Sequence, residues 1–99
     1  MLKYLKDEDF NEEIKSGVVL VDFYADWCGP CRMISPIVEE LSNEIKDLKV
    51  IKVNVDERED IAKIYGIMSI PTLILFKDGQ MDKKQLGFVP KEVLLRWFN

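Results

Sequence analysis

Val18-Val19-Leu20-Val21-Asp22-Phe23-Tyr24 constrains this chain more than any other segment. Side chains along a strand alternate between two faces, and here both faces are apolar except at Asp22. A strand that is apolar on both sides must be covered on both sides. The segment therefore predicts a central strand of a layered domain. The rest of the chain offers the covers. Ile34, Ile37, Val38, Leu41 and Ile45 recur at three- and four-residue spacing and predict one long helix, which Pro36 should kink. A short helix capped by Asp7 or Asp9 should run through Phe10, Ile14 and Lys15 and stop at Gly17. An acidic turn over Asp56 to Asp60 leads into a third helix through Ile61, Ile64 and Tyr65, ended by Gly66. Pro90 opens a fourth, with Val93, Leu94, Trp97 and Phe98 on its apolar side. Leu2–Leu5, Lys49–Val55, Leu73–Phe76 and Met81–Leu86 read as further strands, and Asp78-Gly79 is a hairpin turn between the last two. The order β-α-β-α-β-α-β-β-α predicts an α/β fold. A central mixed five-stranded sheet, parallel in its first part and ending in a hairpin, is flanked by four helices.

Composition removes several function classes. Ninety-nine residues predict one domain spanning residues 1–99, large enough to fold without a staple. There is no histidine, which excludes histidine triads and histidine metal sites. The net charge is −4 and the signs are mixed along the chain, so no basic patch predicts a nucleic-acid partner. No apolar run approaches the ~20 residues of a membrane helix. Met1 to Asp9 lacks the apolar core of a signal peptide, which predicts a cytoplasmic protein with no membrane partner.

The chemistry is concentrated in Cys28-Gly29-Pro30-Cys31, between the strongest strand and the longest helix. Free backbone N–H groups and the macrodipole at a helix start favour an anion. A thiolate is such an anion, so Cys28 is expected to ionise readily. Cys31 lies about one helical turn on, close enough for the two sulfurs to meet. One thiolate can attack a disulfide, and the second can resolve the mixed disulfide that forms. Pro30 stiffens the intervening backbone and lacks an N–H, which the first turn tolerates. Zinc would need four ligands, and two cysteines without histidine do not complete a set, although two copies could bridge a metal. A purely structural disulfide here would close a very short loop, where the entropic gain is least. Redox exchange is the reading that explains the placement.

Val21-Asp22-Phe23-Tyr24-Ala25-Asp26-Trp27-Cys28-Gly29-Pro30-Cys31 resembles the active-site segment of the thioredoxin family. Ile70-Pro71-Thr72, Phe76-Lys77-Asp78-Gly79 and Gly87 fall where that family has its later motifs, so the resemblance spans essentially the whole chain. It implies a thioredoxin fold and a protein dithiol–disulfide oxidoreductase, a disulfide reductase that carries electrons in cell redox homeostasis. The Cys28–Cys31 pair would be the redox centre, with no bound cofactor and no metal. It further implies disulfide-containing target proteins, a thioredoxin reductase drawing on NADPH or ferredoxin, and a monomer.

The same resemblance gives roles to other residues. Asp22 would be buried, with its pKa raised, and would take the proton of Cys31; an exposed strand-end aspartate is the simpler alternative. Lys52 shares a strand face with Val50 and Asn54 and would lie beside Asp22 and tune its charge. Without the resemblance it reads as a solvated lysine. Gly29 and Pro30 would tune the redox potential. Pro71 resembles the family's cis-proline, and the preceding Ile70 could pair with an extended substrate segment. Trp27, Gly29, Pro30, Ile70, Pro71 and Gly87 would form a shallow rim around Cys28. Asp26, Asp56, Glu57, Glu59 and Asp60 read as solvated charges, and Tyr24, where a second tryptophan is common, should alter function little. Two rivals remain: a glutaredoxin-like or oxidising thiol protein, against which Gly29-Pro30 argues, and a thioredoxin-fold binding subunit in which redox chemistry is incidental.

Overall fold

The computed structural model describes all residues, Met1–Asn99. Five strands, β1 (Leu2–Tyr4), β2 (Val18–Tyr24), β3 (Leu48–Asn54), β4 (Thr72–Lys77) and β5 (Gln80–Leu86), form one sheet in the order β1-β3-β2-β4-β5. β2 is the middle strand, as its two apolar faces require. It pairs parallel with β3 and antiparallel with β4, and β1 extends the parallel half. β4 and β5 form the expected hairpin, with a register shift at Leu75 and Phe76. Asp78 (φ 48°) and Gly79 (φ 84°) make its turn in the left-handed region that Asp and Gly tolerate. This turn is tied to the loop before β2, because the Asp78 carboxylate accepts the Gly17 N–H at 2.8 Å.

Four helices cover the sheet: α1 (Phe10–Ile14), α2 (Gly29–Glu44), α3 (Glu59–Ile64) and α4 (Lys91–Leu95), the last continued by a 3₁₀ turn over Arg96–Phe98. Asp9, not Asp7, caps α1, and its carboxylate accepts the Asn11 N–H at 2.9 Å. α2 runs unbroken past Pro36. No helix is long and apolar enough to cross a membrane.

Strand parity divides the core. Val19, Val21, Phe23, Ile51, Val53 and Ile74 pack with Phe10 and Ile14 of α1 and Ile61 of α3. Leu20, Val50, Leu73 and Leu75 face the other way, onto Ile34, Val38 and Leu41 of α2 and Leu94 of α4. Asp22, two residues beyond Leu20, therefore points to the α2 side. Every strand but β2 departs from its expected bounds by one residue: β1 ends at Tyr4, β4 gains Thr72 and Lys77, and β5 begins at Gln80. β3 is displaced by one residue, although the Val55 N–H still donates to the Tyr24 carbonyl at 2.9 Å and prolongs the pairing. In α3, Ile64 is exposed, because in so short a helix Ile61 and Tyr65 take the core-facing side.

Candidate active site

Cys28 and Cys31 are joined as a disulfide, with their Cα atoms 5.2 Å apart. The link sits where β2 hands over to α2. Cys28 is the N-cap of α2, and its Sγ accepts the Cys31 backbone N–H at 3.2 Å. One of the donors left free by the helix start is thus aimed at this sulfur, as a thiolate would need. Pro30 occupies the first turn, where its missing N–H costs no helical bond. Both cysteines are only 4% exposed, so access alone does not distinguish them. Position does: Cys28 caps the helix and faces the Ile70 carbonyl oxygen at 3.7 Å, a contact its reduced S–H could turn into a donated hydrogen bond. Ala25 completes the packed cluster around the pair, with Tyr24, Val55 and Ile70 at its border.

Asp22 is fully buried, so the alternative of an exposed strand-end aspartate is overturned. Burial pushes its carboxyl up to about 6, against the opposing pull of the Lys52 charge. Neither carboxylate oxygen has a hydrogen-bond partner. Lys52 is also buried and stands beside Asp22, where the resemblance places it and where the sequence alone would have left a solvated lysine. The cause lies in the register: Tyr4, Lys52 and Asp22 are lateral partners on β1, β3 and β2 and project from the same face under α2. The ammonium stands 3.9 Å from Asp22 Oδ2 and donates to Ser35 Oγ at 2.6 Å. It also lies over the Tyr24 and Tyr4 rings, 4.9 and 5.2 Å from their centroids. Burial raises the Tyr24 hydroxyl pKa, and the nearby Asp26, Tyr4, Glu57 and Asp22 add to it.

The remaining candidate residues lie around the mouth of the site. The Ile70-Pro71 bond is cis, Pro71 is buried and Ile70 is half-buried against the cysteines. The Gly87 N–H donates to the Pro71 carbonyl at 2.8 Å, and its φ of 79° favours glycine. A Cβ at Gly29 would meet nothing within 4 Å, so the space above the motif is open. Trp27 is 69% exposed and is therefore not a core residue. Its indole N–H donates to Asp56 at 2.9 Å, which makes Asp56 a holder of Trp27 and not merely a solvated charge. Sequence reasoning missed Ser35, the π-contacts of Tyr4 and Tyr24 with Lys52, and Met68, an apolar side chain 95% exposed two residues before Ile70. Only the register of β1 against β3 could have hinted at Tyr4.

Taken together, a helix-capping sulfur, a neighbouring resolving sulfur and a buried, unpartnered carboxylate can pass two electrons and one proton without a metal. A family model described as Thioredoxin matches residues 1–99. A curated thioredoxin of Bacillus subtilis strain 168 is 51% identical over 94% of this chain and 90% of its own length. Thioredoxin of Chlamydia caviae is 46% identical over 100% of this chain and 97% of its own. Among solved structures, a mutant thioredoxin from Halobacterium salinarum NRC-1 superposes with a TM-score of 0.87 at 39% identity, covering 97% of this chain and 86% of that one. A chain from a structure on thiol resolution in yeast mitochondrial 1-Cys peroxiredoxin via glutathione/thioredoxin systems gives 0.88 at 35% identity, covering 97% and 92%.

Proposed function

Since the chain belongs to the thioredoxin family, a protein dithiol–disulfide oxidoreductase that reduces disulfides in target proteins, we propose a division of labour among its residues. Residues 1–99 act as one redox domain, and the Cys28–Cys31 pair serves as its redox centre without a bound cofactor. In the reduced protein the Cys28 thiolate attacks a target disulfide. One target sulfur leaves as a thiolate, and the other stays bonded to Cys28. The Asp22 carboxylate takes the Cys31 proton, and the new thiolate attacks the Cys28 sulfur. The second target sulfur leaves, and two electrons have passed to the target. A thioredoxin reductase, linked to NADPH or ferredoxin, returns them.

The observation that carries this reading is the Cys28 sulfur at the cap of α2, already receiving the Cys31 N–H. That donor stabilises a thiolate at Cys28 and makes it both the better attacking and the better leaving sulfur. The Asp22 carboxyl, held near 6, can release and accept a proton around neutral pH. Lys52 tunes it, Gly29 and Pro30 set the potential, and Trp27, Gly29, Pro30, Ile70, Pro71 and Gly87 receive the target. The free backbone groups of Ile70 offer strand-like pairing to an extended segment. A peroxiredoxin-type thiol protein is one target class, and the protein works as a cytoplasmic monomer.

Cys31→Ser should trap mixed disulfides on Cys28 when a cell lysate is passed over the immobilised protein, and reductant should release them. Cys28→Ser should trap none and should lose insulin-disulfide reduction. A Cys31→Ser variant that traps nothing, or a Cys28→Ser variant that still reduces insulin, overturns the assignment.

A further inference from the structure

Lys52 supplies the only positive charge drawn close to Asp22, yet it does not hydrogen-bond the carboxylate. The 3.9 Å between Nζ and Oδ2 is beyond hydrogen-bond range, and both carboxylate oxygens stay unpartnered. Of its three N–H donors the ammonium directs one at Ser35 Oγ, 2.6 Å away, and that short contact fixes where Nζ sits. Resting on the reading of Asp22 as proton acceptor, we propose that Ser35 is a positioning residue: its hydroxyl holds the Lys52 ammonium off the Asp22 carboxylate and leaves that carboxylate free to take the Cys31 proton.

The placement follows from the helix. Ser35 is four residues on from Cys31 in α2, so the thiol and the hydroxyl project from the same helix face. That face lies over the row formed by Tyr4, Lys52 and Asp22. The aromatic rings hold the ammonium by its charge but offer no directed acceptor, so Ser35 decides where its short hydrogen bond goes. Were the ammonium to bond Asp22 directly, the ionised carboxylate would gain a hydrogen bond and part of its charge would be compensated. Both effects weaken its hold on a proton. At its present distance Lys52 moderates the penalty of burial without cancelling it.

The groups facing Asp22 are few. β3 contributes Lys52, the charge that acts on Asp22, and β2 contributes Tyr24; β1 places Tyr4 beyond Lys52, and α2 places the non-titrating Ser35 on the ammonium, with Cys31 one turn before it. The β4 partner of Asp22 in the register is the apolar Leu73. Asp26 and Glu57 also act on Tyr24. In the disulfide form neither cysteine titrates, so the midpoint of Asp22 can be read without them.

The decisive experiment is a carbon-13 NMR titration of the Asp22 carboxyl in the disulfide form of the wild type, Ser35→Ala and Ser35→Thr. Alanine suits a helix and threonine restores the hydroxyl. Ser35→Ala should lower the midpoint by roughly one pH unit, about tenfold in proton affinity, as Lys52 closes on the carboxylate. Ser35→Thr should leave it at the wild-type value. A purely structural role would change stability and leave the midpoint in place. A midpoint in Ser35→Ala that is unchanged or higher overturns the proposal. The underlying reading has its own test. If Asp22→Asn resolves a trapped mixed disulfide at the wild-type rate, Asp22 is not the acceptor, while the titration still decides what Ser35 does to Lys52.

Discussion

The two faces of the sheet are made from the same strands, one residue out of phase. Toward α1 and α3, β2 presents Val19, Val21 and Phe23, and β3 presents Ile51 and Val53, with no polar side chain among them. Phe10, Tyr65 and Phe76 close that side with edge-to-face contacts 5.4 to 5.9 Å between centroids. Toward α2 and α4 the same strands begin in the same way, with Leu20 and Val50, and then turn polar at Asp22 and Lys52. The change comes near the C-terminal ends of two parallel strands, where α2 starts and the cysteines sit. One face is built for cohesion. The other gives up cohesion over one row of residues and keeps a carboxyl group, with no hydrogen-bond partner, out of water.

The strongest way to break the comparison is to hollow out the cohesive face. Phe76 is buried and in edge-to-face contact with both Phe10 and Tyr65. Phe76→Ala should cost about 3–5 kcal/mol in urea unfolding, by the same amount at pH 5 and pH 8. Insulin-disulfide reduction per folded molecule should persist, because Phe76 points away from the cysteines. A loss that varies with pH, or a folded but inactive variant, would mean that the two faces are coupled.

A smaller effect of opposite sign is expected on the polar face. The Asp22 carboxyl is raised from 3.8 to about 6, so folding favours its protonated form. The favourable contribution is complete below about pH 4 and is lost as pH rises through 6, at a cost of about 3 kcal/mol for a fully ionised carboxylate. Asp22→Asn removes that cost but leaves Lys52 without its counter-charge. The variant should therefore exceed the wild type by about 2 kcal/mol at pH 8 and show little advantage at pH 4. Chemical unfolding across that range checks it, and an advantage that does not change with pH would contradict the buried carboxylate.

How much of this was legible depended on how local the signal was. The two-sided apolarity of Val18–Tyr24 placed β2 at the centre of the sheet, and the Cys-Gly-Pro-Cys segment placed the redox pair at a helix start. Both are properties of consecutive residues. Without the resemblance Lys52 reads as solvated, because a lysine in Val50-Ile51-Lys52-Val53 does not reveal that a helix roofs its face. Ser35 lies between Ile34 and Pro36 in a helical pattern, and its partner is 17 residues away on another element. Asp56 holds Trp27 across 29 residues and looks like any acid of a charged turn. Polar groups whose partners come from other elements carry no periodicity, so only the assembled sheet reveals them.

The finest test of the comparison concerns what borders the polar row at the edge of the sheet. Tyr4 is 45% exposed, its ring centroid is 5.2 Å from the Lys52 ammonium, and it meets Tyr24 edge-to-face at 6.4 Å. Tyr4→Leu keeps an apolar cover and the pairing of β1 but removes the π-face. Lys52 would still have the Ser35 hydroxyl and the Tyr24 ring. The loss in unfolding free energy should therefore be only about 0.5–1 kcal/mol, and Tyr4→Phe, which keeps the ring, should lose nothing measurable. A loss as large as that of Phe76→Ala would show that the polar row is held together by packing, as the opposite face is. A small loss confined to Tyr4→Leu would show that the row is held by charge, with the π-face of the Tyr4 ring adding a little to the hold on a lysine that the fold has already placed.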